Sequence, residues 1–557
     1  MSSRYGIKIK NIQAATLYEY NLGVRDYFSY TPAMLANSLF SYFLQDNGLK
    51  VSKDNRTRDI ICLQFDFGTK SYEEAIKGLD ALRQGESNEI RSHKLSVLKE
   101  RMTERKDKFI KLNADAIRDE YYQNGVDIKY LIKNKHDKVV REDIIHYKML
   151  YRSPGKAKDG ECMFIADRLY DKAKEYIYMG YELPKENAPI VEASAYVSLV
   201  ASSIIDTVKI PPEDILILKD IESPFTRDVI SIETDENKHC CAKHINNYEL
   251  HNVLFDGQAL MDESIFPKWG DGYVLLRQHM MKAAAFKTNI QLFFRDYFGE
   301  DYEQAEVTDM FGNKHKAKDI KLITTDNAVK YLKFGINYDY WCNRVKQDNS
   351  LFGIVKTAHK SKLGEVQKMS YQMINCLDME IMDDVTLVSR NYIYQLKKDL
   401  NVFLKYLEDN VTFVNDFDVL LALYNQDPMF AQSEYFRNRR RQIISAYVKK
   451  MRTGKVLQEG DNLVMVGSPY AMLLHAVGEN VENDKTLISQ DDSIQCYTKR
   501  FDTGEYLAGF RSPHNSKSNI LALQNVGSDL LDKYFYIGKQ CIAVNTIHTD
   551  ISDRANG

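Results

Sequence analysis

Apolar residues recur at helical spacing through Leu35–Leu44 and Tyr72–Leu82, which predicts helices there. In the charged run Arg91–Lys111, RSHKLSVLKERMTERKDKFIK, the residues Leu95, Leu98, Met102 and Phe109 fall on one helical face. Such a helix fits a solvated, salt-bridged surface, and it also fits a phosphate contact. One run breaks the helical pattern: Ile60–Phe67, IICLQFDF, has strand length and stops at Gly68. Residues 1–210 are therefore predicted to be mainly helical. Past Pro211-Pro212 the texture changes to short aliphatic runs between Gly, Asp and Asn, such as Ile215–Leu218, Tyr273–Leu276 and Ile320–Ile323. This predicts a β-rich domain over 211–360. Helical spacing returns over 361–453, clearest in Tyr392–Leu407. From 454 to 557 strand-length runs resume at Leu463–Val466, Tyr506–Ala508, Asn519–Leu523 and Cys541–Val544. The predicted class is α+β, with a helical N-terminal region and two β-rich blocks joined by a helical connector.

Length and composition narrow the function classes. With 557 residues, about 150 per domain gives three or four domains. A hydrophobic share of 44% with 27% charged residues argues against disorder and against a small disulfide scaffold. Lys+Arg 75 against Asp+Glu 78 leaves a net charge of −3, which excludes an all-over basic coat but not an internal basic channel. The eight cysteines form no CxxC pair. The tightest group, His239, Cys240, Cys241 and His244, holds adjacent cysteines that rarely reach one tetrahedral ion, so no metal is assigned to it. The opening MSSRYGIKIKNIQ lacks an apolar signal core, and no apolar run reaches the roughly 18 residues of a membrane span. A reducing, cytoplasmic setting without membrane contact is expected.

Four segments carry candidate chemistry. In Tyr151–Gly160, YRSPGKAKDG, the cations Arg152, Lys156 and Lys158 sit among glycines that can turn backbone N–H groups toward phosphate. The spacing is not that of a Walker A loop, and a solvated hairpin turn fits equally. In MMKAAAFK, Lys282 and Lys287 interrupt an apolar run; a lysine there must reach water or an anion. Phe436–Gln442, FRNRRRQ, is the densest basic run: Arg437, Arg439, Arg440 and Arg441 can follow a phosphate backbone or pair with local acids. Finally, Arg511 precedes Ser512-Pro513-His514, a placement suited to phosphate or ribose. The chain closes on Asn556-Gly557, a dipeptide that favours a turn into another strand.

These residues carry a family resemblance. Arg511-Ser512-Pro513-His514, the strand Cys541–Asn545 and then Asn556 resemble, in that order, the catalytic barrel of two-barrel (double-psi β-barrel) RNA polymerases. That superfamily includes RNA-silencing RNA-dependent polymerases, phage and bacterial single-chain relatives, and the catalytic subunit of cellular RNA polymerase. Phe255-Asp256-Gly257 with Arg277…Lys282, and the segment Thr324–Phe334 with Lys330, are similar to the partner barrel of the silencing enzymes. The likeness covers about 220–557 and is one of motifs; residues 1–210 match no such pattern. It implies two double-psi-like barrels, the second incomplete, and nucleotidyl transfer onto an RNA 3′ end. It further implies that Lys282, with Lys287 or Lys330, neutralises the triphosphate. Arg511 and His514 would meet the nucleotide or the RNA end, and Asn556 would help read the ribose. The catalytic Mg2+ needs a DxDxD loop that the sequence does not contain, so its ligands are expected beyond Gly557 or on a partner chain. The implied partners are NTPs, an RNA or DNA template and that second chain, and this chain alone is expected to be inactive. The alternative is a non-catalytic nucleic-acid-binding subunit on the same scaffold. A nuclease would need its own carboxylate cluster, and a serine hydrolase a GxSxG; neither stands in the sequence.

Overall fold

The computed structural model describes residues 6–65, 71–110, 114–133, 139–151, 161–182, 190–359, 364–369, 377–412, 415–490, 493–511 and 517–556. The chain divides into two units. The first comprises Met1–Pro212, Leu275–Ala283 and Ala328–Lys356; the second comprises Glu213–Val274, Ala284–Asn327 and Thr357–Gly557.

In the first unit six strands form one sheet: β1 (Ile7–Gln13), β2 (Tyr30–Leu35), β3 (Arg56–Gln64), β4 (Val126–Lys133), β5 (Val139–Tyr151) and β6 (Glu161–Ala166). Their order is β2-β1-β3-β6-β5-β4, with β1 parallel to β3 and the other neighbours antiparallel. Ile12, Ile61, Leu63, Ile128 and Phe164 meet Leu17 and Ile117 from the helices Ala14–Asn21 and Ala114–Asn124 in a closed core. The region predicted as mainly helical thus holds helices and a sheet together. The reason lies in strands such as β5, whose charged first half is solvent-exposed and shows no apolar alternation. The expected helix at Tyr72 is present as Tyr72–Gln84, started by a reciprocal Ser71–Glu74 capping box. The charged run forms the helix Glu89–Glu104, in which Met102 is buried.

The later segments of this unit surround Trp341, which is fully buried on the helix Tyr338–Gln347. Its ring stacks on Tyr331 at 5.1 Å, and the strand Leu351–Thr357 pairs through Leu351–Ile354 with Asp206–Lys209.

In the second unit the strand Ile215–Leu218 is buried at all four positions and runs parallel to Leu322–Thr325. That strand is antiparallel to Gln258–Asp262, which pairs in parallel with Ala284–Thr288. A strand buried on both faces reads as a continuous apolar run, which is why Ile215–Leu218 was visible in the sequence, whereas Gln258–Asp262 and Ala284–Thr288 were not expected as strands. A second sheet has the order Val464–Gly467, Cys541–Val544, Ser493–Tyr497, Leu521–Asn525, Tyr506–Gly509. The chain is mixed α and β, 41% helical and 30% strand, and two of its sheets curl as half-barrels. Within this unit Gln258 joins strands of the two: its amide donates to Gly467 O at 3.1 Å and accepts from Gly467 N at 3.0 Å. Four helices, Met382–Lys398, Leu400–Asp409, Phe417–Gln426 and Glu434–Arg452, pack around Leu396, Phe403, Leu407, Phe436 and Tyr447. Among the described residues no helix is long and apolar enough to cross a membrane.

Candidate functional site

In the first unit a tight turn, His279-Met280, joins the strand segments Leu275–Gln278 and Met281–Ala283. A two-residue connection of this kind sets Arg277 across from Lys282. Met280 adopts φ +45°, a left-handed conformation that costs a non-glycine residue energy. The surroundings hold the turn in place. Trp341 Nε1 donates to His279 O at 3.0 Å, and His279 Nε2 lies 2.9 Å from Asp348 Oδ2, which also accepts from the Tyr176 hydroxyl at 2.8 Å. Burial pushes the His279 pKa below its usual value, so the neutral ring donates through Nε2.

Beyond that turn the backbone N–H of Lys282 donates to Ala328 O at 3.1 Å, and Met281 bridges Val329. This junction brings together two of the lysines singled out in the sequence. Lys282 Nζ lies 5.4 Å and Lys330 Nζ 6.0 Å from the centre of the Tyr196 ring. Lys330 is buried and Lys282 half-buried. Nearby, Lys333 pairs with Glu192 at 3.0 Å; that contact, followed by the Tyr196 hydroxyl and Lys330, holds the Glu192 carboxyl below the usual range. Arg277 donates to Leu276 O at 2.8 Å, and burial lowers its pKa. Among the described residues no carboxylate stands within ion-pair distance of Arg277. A guanidinium in such surroundings favours an anionic ligand, whereas Lys330 and Lys333 already have the Glu192 carboxylate beside them. Tyr196, Glu192 and Lys333 were not anticipated from the sequence, because nothing local marks them as neighbours of Lys282.

The other candidates belong to the second unit. Lys287 lies over the rings of Tyr536, at 4.5 Å, and Phe266, at 5.9 Å. Arg511 is exposed two residues beyond the strand Tyr506–Gly509. The basic run lies on the helix Glu434–Arg452, and two of its four arginines bind that helix to other segments of the chain. Arg439 forms a two-pronged pair with Asp416, at 2.8 and 2.6 Å. Arg440 crosses the Phe403 ring and donates to Leu396 O and Asp399 O, at the junction of two helices. Arg437 and Arg441 remain exposed, with Arg441 bonded to Asn438. The phosphate-tracking expectation therefore reduces to these two. Asn556 ends the helix Ile551–Asn556 instead of a turn into a strand. Arg554 anchors that helix by donating to Ser518 O at 2.7 Å and Ile520 O at 3.0 Å. Arg152, Lys156, Lys158 and His514 lie outside the described residues.

The Phe255-Asp256-Gly257 motif has a clear structural basis. Gly257 takes φ +70°, and Phe255 N donates to Asp220 Oδ1 at 3.1 Å. Asp220 also accepts from Thr325 and Asn327, at 2.9 and 3.0 Å, and its burial raises its pKa. It is a positioning hub that no sequence motif announced. Among the described residues no group of three or more His, Cys, Asp or Glu is arranged to hold a metal ion. No protein-family model matches the chain, and no curated protein matches it by sequence.

Proposed function

We propose that this chain binds nucleoside triphosphates and nucleic acid as part of a templated RNA polymerase of the two-barrel, double-psi type, acting with a second chain. The observation that carries this reading is the convergence of Lys282 and Lys330 on Tyr196, beside Arg277 in the same unit. Two ammonium groups over one ring, with a guanidinium on the facing strand, suit a polyphosphate whose base or ribose can lie against the aromatic face. Lys282 and Lys330 would draw the phosphate oxygens, and the turn held by His279 and Asp348 would fix where Lys282 points. The described residues do not fit the magnesium that the resemblance implies, and no step through it is derived from them.

The test is ATP binding by the full chain. Lys282→Ala and Lys330→Met are each expected to weaken ATP by about 10- to 100-fold, the 1.5–3 kcal/mol range of a charge-assisted hydrogen bond. Lys282→Arg should retain most of the affinity, and unchanged thermal unfolding should show that the fold is intact. Equal ATP affinity in wild type and both charge-removing variants would overturn the assignment. Retained nucleic-acid binding without any ATP binding would favour the non-catalytic subunit.

A further inference from the structure

The sheet of the first unit carries a second cationic surface, remote in sequence from the lysines above. On β1, Lys8 and Lys10 occupy alternate positions; on β3, Arg56 and Arg58 do the same. Alternate residues share a face and repeat every ~6.7 Å. The register sets Lys8 directly beside Arg56. Like charges in adjacent positions destabilise a sheet, so this placement works against the fold unless something else occupies the surface. None of the four cations has an ion-pair partner among the described residues. Asp59, the carboxylate next to Arg58, is buried and pairs with Arg168. Lys10 responds to this crowding: burial first, then Arg58 and Arg56, lower its pKa, with no carboxylate opposing them.

Aromatic rings are interleaved with these charges. Lys10 Nζ stands 4.2 Å from the centre of the Tyr30 ring, 5.6 Å from Tyr130 and 5.7 Å from Phe28. The Arg58 guanidinium lies 4.9 Å from Tyr130. Phe28 and Tyr30 are ring neighbours at 6.4 Å, and Tyr30 is 50% exposed, so an aromatic face is open to solvent beside the cations. Exposed rings and unpaired cations together are the two elements that hold unpaired nucleotides: phosphates meet the charges and bases stack on the rings. A duplex hides its base faces and can use only the charges.

We propose that the face formed by Lys8, Lys10, Arg56, Arg58 and Tyr30 binds single-stranded nucleic acid. The site stands independently of the triphosphate reading. It gives the N-terminal region, for which the sequence offered no role, a grip on unpaired nucleotides.

The experiment uses the full chain and fluorescently labelled oligouridylate and oligodeoxythymidylate, with affinity followed against salt. Each phosphate neutralised on a single strand contributes about −0.7 to the slope of log K against log salt. Arg56→Gln with Arg58→Gln, both at exposed positions, should therefore make the slope shallower by ~1.4 and weaken binding. Tyr30→Ala should weaken binding about 5- to 100-fold without changing the slope, and Tyr30→Phe should restore it. A duplex of the same length should bind more weakly than either single strand. Unchanged slope and affinity in the double Arg variant, or equal binding of the duplex, would overturn the proposal. Because ATP binding does not enter these readings, and the double Arg variant should keep wild-type ATP affinity, failure here and failure of the triphosphate site are separable.

Discussion

Raising the pH from about 10 to about 12 is expected to unfold the protein cooperatively, with tyrosinate absorbance rising as circular dichroism is lost. Burial pushes Tyr178, Tyr392 and Tyr497 up to about 12, from an ordinary value of 10.0. It also raises the pKa values of Tyr121, Tyr147, Tyr151, Tyr176 and Tyr447. Two buried thiols, Cys496 and Cys541, are likewise pushed from 9.0 up to about 12. In every case the folded pKa lies above the unfolded one. The stability these groups contribute is therefore complete below the unfolded pKa and is lost as pH rises through the folded one. A shift of two units corresponds to about 2.7 kcal/mol, so by about pH 12 Tyr178 removes about that much from the first unit and Tyr497 from the second. That is a large part of the roughly 5–15 kcal/mol that holds a typical domain folded. Tyrosines that ionise near pH 10 without loss of structure would show that these rings are not buried as described.

Asp348→Ala is expected to be among the costliest single substitutions in the first unit, at about 3–5 kcal/mol. Asp348 accepts from Tyr176 at 2.8 Å and from His279 at 2.9 Å, and Arg344 lies 3.6 Å from its other oxygen. His279 is 1% and Arg344 9% exposed, so the donors that lose their acceptor are themselves buried. Among the described residues His279 Nδ1 and Arg344 Nε already lack hydrogen-bond partners, which leaves the network little spare capacity. Asp348→Asn keeps the shape and one acceptor oxygen and should cost less, about 1–3 kcal/mol. Urea midpoints at constant slope measure both. An alanine variant within about 0.5 kcal/mol of wild type, the range of an ordinary surface change, would contradict the network's role. The sign of the acid side follows from His279. Its folded pKa lies below 6.5, so its contribution is complete above that value and is lost as pH falls through the folded pKa. Since the turn at His279 precedes Lys282, Asp348→Asn should also weaken the proposed ATP binding while the protein remains folded.

Much of the secondary structure was legible along the chain, and the failures have physical causes. The strands Ile215–Leu218 and Cys541–Val544 occur where their apolar runs stand, because a strand buried on both faces writes itself as a continuous hydrophobic segment. Tyr392–Leu407 is helical, yet it spans two helices separated at Asp399, whose side chain caps the second by accepting from Asn401 N at 2.8 Å. The N-terminal sheet was largely missed although β1, IKIKNIQ, and β4, VDIKYLIK, alternate apolar and polar residues, because helical spacing dominates the neighbouring segments. Lys8-Lys10 and Arg56-Arg58 do carry a period of two, a trace of strand structure that is easily taken for ordinary surface polarity.

The sequence by itself determined the α+β class, the positions of the apolar strands and which lysines and arginines interrupt apolar or basic runs. Only the tertiary structure decided what those cations do. Arg439 and Arg440 looked like Arg437 and Arg441, but the first two hold helices together and the last two stay exposed. Lys282 and Lys330 came to one aromatic ring only when strand pairing and a backbone bridge carried both to Tyr196. The physical reason is that a local pattern records which way a side chain faces, whereas its charge partners and aromatic neighbours come from segments far along the chain.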